Sequence, residues 1–268
     1  MTVWWIGGPP GAGKTTVARL LARRHGLRWY GADTRTWAHR DQAIAAGHRA
    51  AIRWEALSPA ERWAAPTPEL LAMSLHRERG PMIEADLRAL PTDCSIIAEG
   101  TPITPSVAPP THALWLLPTP AVQRARLAAR DLPEGVHRLY AALTEEIAAE
   151  VAAGGVKTLL VDGGRDAAAT LALVEEAFAD TLPGAPAART RAERQALLRA
   201  GNRSVVDQCL AFFARPWAPG DPRHSVQSFA CECGAPHCVA ELELSVAAAA
   251  RGTERTAAPL LAPGHRSR

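Results

Sequence analysis

Eight consecutive residues, Gly8-Pro9-Pro10-Gly11-Ala12-Gly13-Lys14-Thr15, satisfy the pattern G-x-x-x-x-G-K-[ST]. They stand between an apolar run, Val3-Trp4-Trp5-Ile6-Gly7, and a helix-forming stretch over 14–24. A loop of this kind, joining a buried strand to a helix, is built to cradle phosphate. Gly8, Gly11 and Gly13 let the backbone bend so that successive N–H groups point at phosphate oxygens, and the helix adds the positive end of its dipole. In that geometry Lys14 reaches the β- and γ-phosphates, Thr15 places its hydroxyl on Mg2+, and Thr16 assists at the α-phosphate. Pro9, Pro10 and Ala12 complete the loop.

The motif demands a sheet behind it, and the rest of the chain supplies the pattern for one. Apolar runs rich in β-branched or aromatic residues recur at 3–7, 28–31, 94–98, 112–117 and 156–161, separated by helix-length stretches at 14–24, 68–90, 119–130, 137–153 and 166–179. Alternation of this kind predicts a parallel sheet covered on both faces. A Pro-, Ala- and Gly-rich stretch at 181–190 marks the expected end of this domain; a helix over 189–214 and two short strands within 225–245 follow. The expected organisation is a domain over 1–180, a linker and connector helix over 181–224, and a Cys-rich module over 225–268.

Charge narrows the partners. Thirty Lys+Arg against 27 Asp+Glu leave a formal charge of +3 in 268 residues, too weak a field to argue for nucleic acid or an anionic membrane. Neither a long apolar run nor a leader-like N-terminus is present, so the expected location is cytoplasmic.

Two acids fall at strand ends, where ligands bind in open α/β sheets. Glu99, in Ile96-Ile97-Ala98-Glu99-Gly100, occupies the Walker-B position, where a carboxylate holds a magnesium-bound water or accepts a proton; an ordinary loop glutamate reads the same way. Asp33, in Gly31-Ala32-Asp33, follows the second strand and serves equally as a turn or helix-cap residue. Further on, Arg126 and Arg130 stand at i and i+4 in Gln123-Arg124-Ala125-Arg126-Leu127-Ala128-Ala129-Arg130, on one helix face suited to a triphosphate or to plain solvent.

Strand, GxPGxGKT loop, helix, strand ending in Asp, strand ending in an acid-Gly pair and an Arg-bearing helix together resemble the small-molecule kinase branch of P-loop proteins. That branch includes shikimate and gluconate kinases, chloramphenicol phosphotransferase and the nucleotide kinases. The resemblance implies a three-layer P-loop kinase-like fold, ATP and Mg2+ as cofactors, an acceptor hydroxyl contacted by Asp33, and a lid carrying Arg126 and Arg130. With Lys14, these residues and Glu99 form the expected catalytic set, with Asp33 or Glu99 handling the proton. The absence of an N-K-x-D stretch disfavours guanine. The long 34–90 stretch contains Trp37, His39, Trp54 and Trp63, and its tryptophans either stack on an aromatic or cyclic acceptor or belong to the core.

Near the C-terminus, Cys231-Glu232-Cys233-Gly234-Ala235-Pro236-His237-Cys238 packs three thiols into eight residues, and His265 or His237 offers a fourth ligand for a closed Cys3His zinc site. Reduced cysteines in a hairpin remain the alternative. The segment resembles a CxCGxxxC module, followed by a PGH tripeptide, that recurs in actinobacterial proteins and carries only an implication of metal binding. The favoured function is transfer of the ATP γ-phosphoryl to a hydroxyl of a small-molecule acceptor. The alternative is an ATP-dependent sensor whose C-terminal module contacts a protein or other macromolecular partner.

Overall fold

The computed structural model describes residues 2–254 and 256–266. A five-stranded parallel sheet in the order β2-β3-β1-β4-β5 forms the middle layer. Its strands are β1 (Val3–Gly7), β2 (Arg28–Gly31), β3 (Ile96–Glu99), β4 (Ala113–Pro118) and β5 (Thr158–Val161). Between them run α1 (Lys14–His25), then α2 (Thr36–Ala45), α3 (Arg49–Ala56), α4 (Pro59–Ala64), α5 (Thr67–Ser74) and α6 (Arg79–Ala89) before β3. After β4 come α7 (Pro120–Ala128) and α8 (Glu134–Gly154), and β5 leads to α9 (Ala167–Ala177).

Strand alternation explains the layers. Trp4 and Ile6 of β1, with Leu114 and Leu116 of β4, point to one face and bury against Val17 and Leu21 of α1 and Leu171 and Val174 of α9. Their neighbours Trp5 and Trp115 point to the other face, against Ile83 and Leu87 of α6 and Ile147 and Val151 of α8. With helices covering both sides, neither face of β1 is left to water, which is why 3–7 reads as a continuous apolar run. The architecture is thus a three-layer α/β sheet with helices on both faces, with a cysteine cluster in the C-terminal segment.

From β1 the chain crosses to β2 on one side, while from β3 it crosses to β4 on the other. Loops that diverge in this way open a crevice at the strand carboxyl ends, between β1 and β3.

Two helices differ from expectation. The single helix expected over 68–90 is broken at Leu75, which adopts φ 58. The Ser74 hydroxyl explains the break: it donates to Leu71 O at 2.7 Å and accepts from His76 N at 3.2 Å, a local alternative to the helical ladder. The helix expected over 119–130 stops at Ala128, because Asp131 turns at φ 46 ahead of Pro133. Arg130 therefore sits in the turn beyond α7 rather than on it.

The C-terminal part comprises α10 (Arg191–Phe213), the antiparallel pair β6 (Val226–Ala230) and β7 (Glu241–Ser245), and α11 (Val246–Gly252). A reciprocal capping box between Thr190 and Glu193 starts α10. That helix lies against β2, the 3-10 turn Ala32–Arg35 and α2. Val206 of α10, Phe229 of β6 and Ala249 of α11 form a small core of their own.

Candidate functional site

The 8–15 loop leaves β1 at the crevice. Gly8 has φ 133, and a Cβ there would fall 2.3 Å from Leu116 O, so neither the torsion nor the space admits a side chain. Gly13, at φ 90, is the N-cap of α1 and offers no side-chain cap, which leaves the first-turn N–H groups to a ligand. Lys14 is buried and its ammonium folds back over the loop, donating to Pro9 O at 2.9 Å and Thr101 Oγ1 at 3.4 Å. Burial lowers its pKa, against the opposing pull of Asp33 and Glu99.

Glu99 is the last residue of β3, 1% exposed, and accepts a hydrogen bond from Thr15 Oγ1 at 3.1 Å. Burial, helped by repulsion from Asp33, pushes its carboxyl up to about 7. A carboxylate and a hydroxyl side by side at an uncapped helix start are hard oxygen donors of the kind magnesium takes. Thr16, the next residue, is exposed.

Helix α7 braces the loop from outside: Gln123 Nε2 donates to Pro10 O at 2.9 Å and Arg126 Nη1 to Gly11 O at 2.9 Å. The Arg126 guanidinium thus touches the loop backbone, while exposed Arg130 lines the cleft beside it.

That cleft has a volume of about 800 Å3 and is lined at one end by Gly11, Gly13, Lys14, Thr15 and Thr16. Asp33 also lines it, exposed on the 3-10 turn after β2, with Oδ1 4.0 Å from Arg79 Nη1. Arg79 is buried and held by Ala32 O and by His39 Nδ1, the latter at 3.1 Å. His39 in turn meets Asp86 Oδ2 at 2.9 Å, and the same carboxylate accepts from Arg35 and Tyr30. Burial disfavours the Asp86 charge, but the hydrogen bonds from His39, Arg35 and Tyr30 outweigh it and hold its pKa well below the ordinary carboxylate range. Fully buried, His39 belongs to this bracing network and does not line the cleft. Trp37, Trp54 and Trp63 do line it.

Several lining residues went unrecognised in the sequence. Arg40, Arg62, His76 and Arg79 come from the helical stretch before β3; Gln208, Phe212 and Trp217 come from α10 and the segment after it. Trp217 packs against Trp37 and Phe212, at centroid distances of 5.6 and 5.8 Å, and Gln208 Oε1 accepts from Trp37 N at 3.2 Å. The irregular tryptophan content of 34–90 is the one signal that pointed to this wall.

A second constellation lies in the C-terminal segment. The ligand atoms of Cys231, Cys233, Cys238 and His265 all fall within 4.8 Å of one another. His265 Nδ1 stands 3.3 Å from Cys231 Sγ and 3.6 Å from Cys238 Sγ, and Ala262 N donates to Cys231 Sγ at 3.3 Å. His237 is outside this group. Burial opposes a thiolate at Cys233, but the Ala235 amide, His265 and the neighbouring thiols outweigh it and bring the thiol down to about 6. Arg23 of α1 grips the loop, donating to the carbonyls of Cys231 and, at 2.9 Å, Cys238. Beneath it the buried Glu232 accepts from Arg199 Nε, Asn202 Nδ2 and Leu260 N.

No protein-family model matches the chain, and no curated protein does. Among solved structures, the chain is similar to an unliganded sugar kinase from Janibacter sp. HTCC2649, at 19% identity and a TM-score of 0.39, over 68% of this chain and 96% of that one. A likeness of that degree adds nothing to the reading of the site. No helix among the described residues is long and apolar enough to cross a membrane.

Proposed function

We propose that the chain binds ATP on the 8–15 loop and transfers its γ-phosphoryl to a hydroxyl of a small molecule held in the adjoining cleft. The observation that carries this reading is that Lys14, Thr15 and Asp33 line one cleft beside an uncapped helix start, with the buried Glu99 carboxylate bonded to the Thr15 hydroxyl behind them. Loop and helix N–H groups bind the phosphates, and Lys14, released from Pro9 O, spans the β- and γ-phosphates. Thr15 and Glu99 would hold Mg2+, which would supply charge neutralisation for the phosphates. Arg126 and Arg130 add positive charge where the leaving oxygen gains negative charge.

Asp33, exposed and free of Thr15, takes the proton from the acceptor hydroxyl. As the acceptor oxygen bonds to the γ-phosphorus, the bond from that phosphorus to the bridging β–γ oxygen breaks and ADP leaves with the electron pair. Arg79, held by Ala32 O and by His39, which in turn is held by Asp86, keeps the Asp33 carboxylate in place.

In the C-terminal segment, Cys231, Cys233, Cys238 and His265 would hold Zn2+, whose closed coordination supplies folding energy to a part of the chain with a small core. The donor set fits: three thiol sulfurs and one imidazole nitrogen within 4.8 Å, with an amide donating to one sulfur.

The test is incubation of the full chain with Mg-ATP and a pooled set of hydroxyl compounds, read as an added phosphoryl mass. A product that appears with wild type and disappears with Lys14→Ala supports the reading. Absence of both ATP binding and Lys14-dependent turnover refutes it.

A further inference from the structure

The aromatic part of the cleft holds two buried guanidinium groups whose hydrogen bonding is incomplete. Arg40 is 3% exposed and Arg62 is 1% exposed. Arg40 Nη2 donates to Met73 O at 2.8 Å, and Arg62 Nε donates to Trp54 O at 2.6 Å. Among the described residues, Arg40 Nε, Arg40 Nη1 and Arg62 Nη2 have no hydrogen-bond partner, nor do Trp54 Nε1 and His76 Nε2 in the same cleft.

No carboxylate among the described residues pairs with either arginine. Glu55, the acid whose field favours both charges, is already engaged: Oε1 accepts from Arg215 at 3.0 Å and Oε2 from Trp217 Nε1 at 2.7 Å. The arginines instead stack on indoles. Arg40 lies 4.5 Å from the Trp54 ring centroid, and Arg62 lies 5.1 Å from Trp54 and 3.6 Å from Trp217. Ring faces stabilise a cation but accept no N–H in its plane. Burial lowers Arg40 to about 10, with Arg215, Arg79 and Arg62 adding repulsion.

Buried charges without a partner are costly, and unpaired N–H groups add to that cost, so a folded chain keeps such a pair where a ligand completes it. Every open position is an N–H donor, apart from the imidazole nitrogen of His76, which can donate or accept. Guanidinium forks match the lone pairs of a carboxylate or phosphate, and the flanking indoles match a flat apolar body. We infer that the acceptor is a hydroxylated ring compound bearing an oxyanion, a carboxylate or a phosphate monoester, held by Arg40 and Arg62. The word acceptor rests on the phosphoryl-transfer reading; the anion site does not.

Calorimetric titration of the full chain separates the two. The probes are 4-hydroxybenzoate against 4-hydroxybenzamide, and phenyl phosphate against phenol, on wild type, Lys14→Ala, Arg62→Gln and Arg40→Lys. At least one anion is expected to bind tenfold or more tightly than its uncharged counterpart, in wild type and in Lys14→Ala, and to lose that preference in Arg62→Gln. Which anion wins identifies the oxyanion. Equal binding of charged and uncharged probes, or an anion preference that survives Arg62→Gln with a native circular dichroism spectrum, overturns the inference. Should Arg62→Gln not fold, Arg40→Lys, which keeps the charge and loses the fork, is expected to weaken the anion 3- to 10-fold, and undiminished binding is the overturning result. Transfer from Mg-ATP only to uncharged hydroxyl compounds overturns the inference and leaves the kinase reading standing. Arg62-dependent anion binding in a chain that shows neither ATP binding nor Lys14-dependent turnover supports the anion site and sinks the kinase reading.

Discussion

Arg23→Met tests how firmly the cysteine loop is fastened to α1. Arg23 is 9% exposed, and its guanidinium donates to two loop carbonyls, Cys231 O and Cys238 O, the first on a fully buried residue. Methionine fills much of the same volume and removes both bonds. A hydrogen bond to a charged group contributes about 1.5–3 kcal/mol, and a buried carbonyl left without a donor costs about 1–3 kcal/mol. Against this, the variant no longer desolvates a charge, which offsets part of the loss. The net expectation is about 3 kcal/mol, or roughly a 150-fold change in an equilibrium constant at 1.4 kcal/mol per tenfold.

Because α10, β6, β7 and α11 have their own small core, the loss is expected to appear first as local opening of 226–266. Two assays report it: amide hydrogen exchange of 226–245 and, for the chain loaded with zinc at the proposed site, release of that zinc to a chromophoric chelator, each faster by about two orders of magnitude if the opening equilibrium carries the whole effect. The 8–15 loop, at the other end of α1, should bind ATP as in wild type. Unchanged exchange and unchanged metal release in Arg23→Met would show that the two bonds do not fasten the loop.

Other perturbations address the sheet and the cleft. Trp115→Ala removes a fully buried ring whose indole donates to Ile103 O at 3.2 Å, and chemical denaturation should show a loss of about 3–5 kcal/mol. Asp33→Asn should lower kcat by about 10^2- to 10^4-fold while ATP affinity, read by titration, stays within about twofold; a full-rate variant removes Asp33 as the base. Burial, with Arg79 and Arg77 adding repulsion, pushes His76 down to about 4. The unfolded chain therefore takes up that proton first, and stability from His76 is lost as pH falls from about 6.5 to about 4, by up to about 3 kcal/mol. Glu99, raised to about 7, works in the opposite sense between about 7 and 4.5, because its folded carboxyl protonates first. Urea midpoints of His76→Gln should consequently rise as pH falls across that window, relative to wild type; parallel curves would contradict the assignment.

The loop at 8–15 and the sheet behind it were legible because their signals are local: a glycine pattern, an apolar run and a helix within 25 residues. Spacing also sufficed for the cysteine loop, although only the fold distinguishes His265, 3.3 Å from Cys231, from the nearer-in-sequence His237. Helix boundaries failed where a single side chain decides them, as Ser74 does ahead of Leu75. The aromatic wall of the cleft was hidden for another reason. Trp217 meets Trp37 across 180 positions, and Arg40 and Arg62 look like ordinary arginines in an Arg-rich chain until their burial is known. Long-range packing leaves no periodicity to read.

The lateness of Trp217 in the chain bears on synthesis. A ribosome delivers the 8–15 loop, all five sheet strands and Asp33 before it delivers the residue that closes over Trp37 and Arg62. A nascent chain emerged as far as α9 would hold every group assigned to nucleotide and proton, yet its aromatic wall would stand open to water. Phosphoryl transfer would then default to solvent. On the proposed reading, the capacity to hold an acceptor arrives only with the residues that follow α9, so a product stalled or truncated there is expected to hydrolyse ATP slowly and modify nothing.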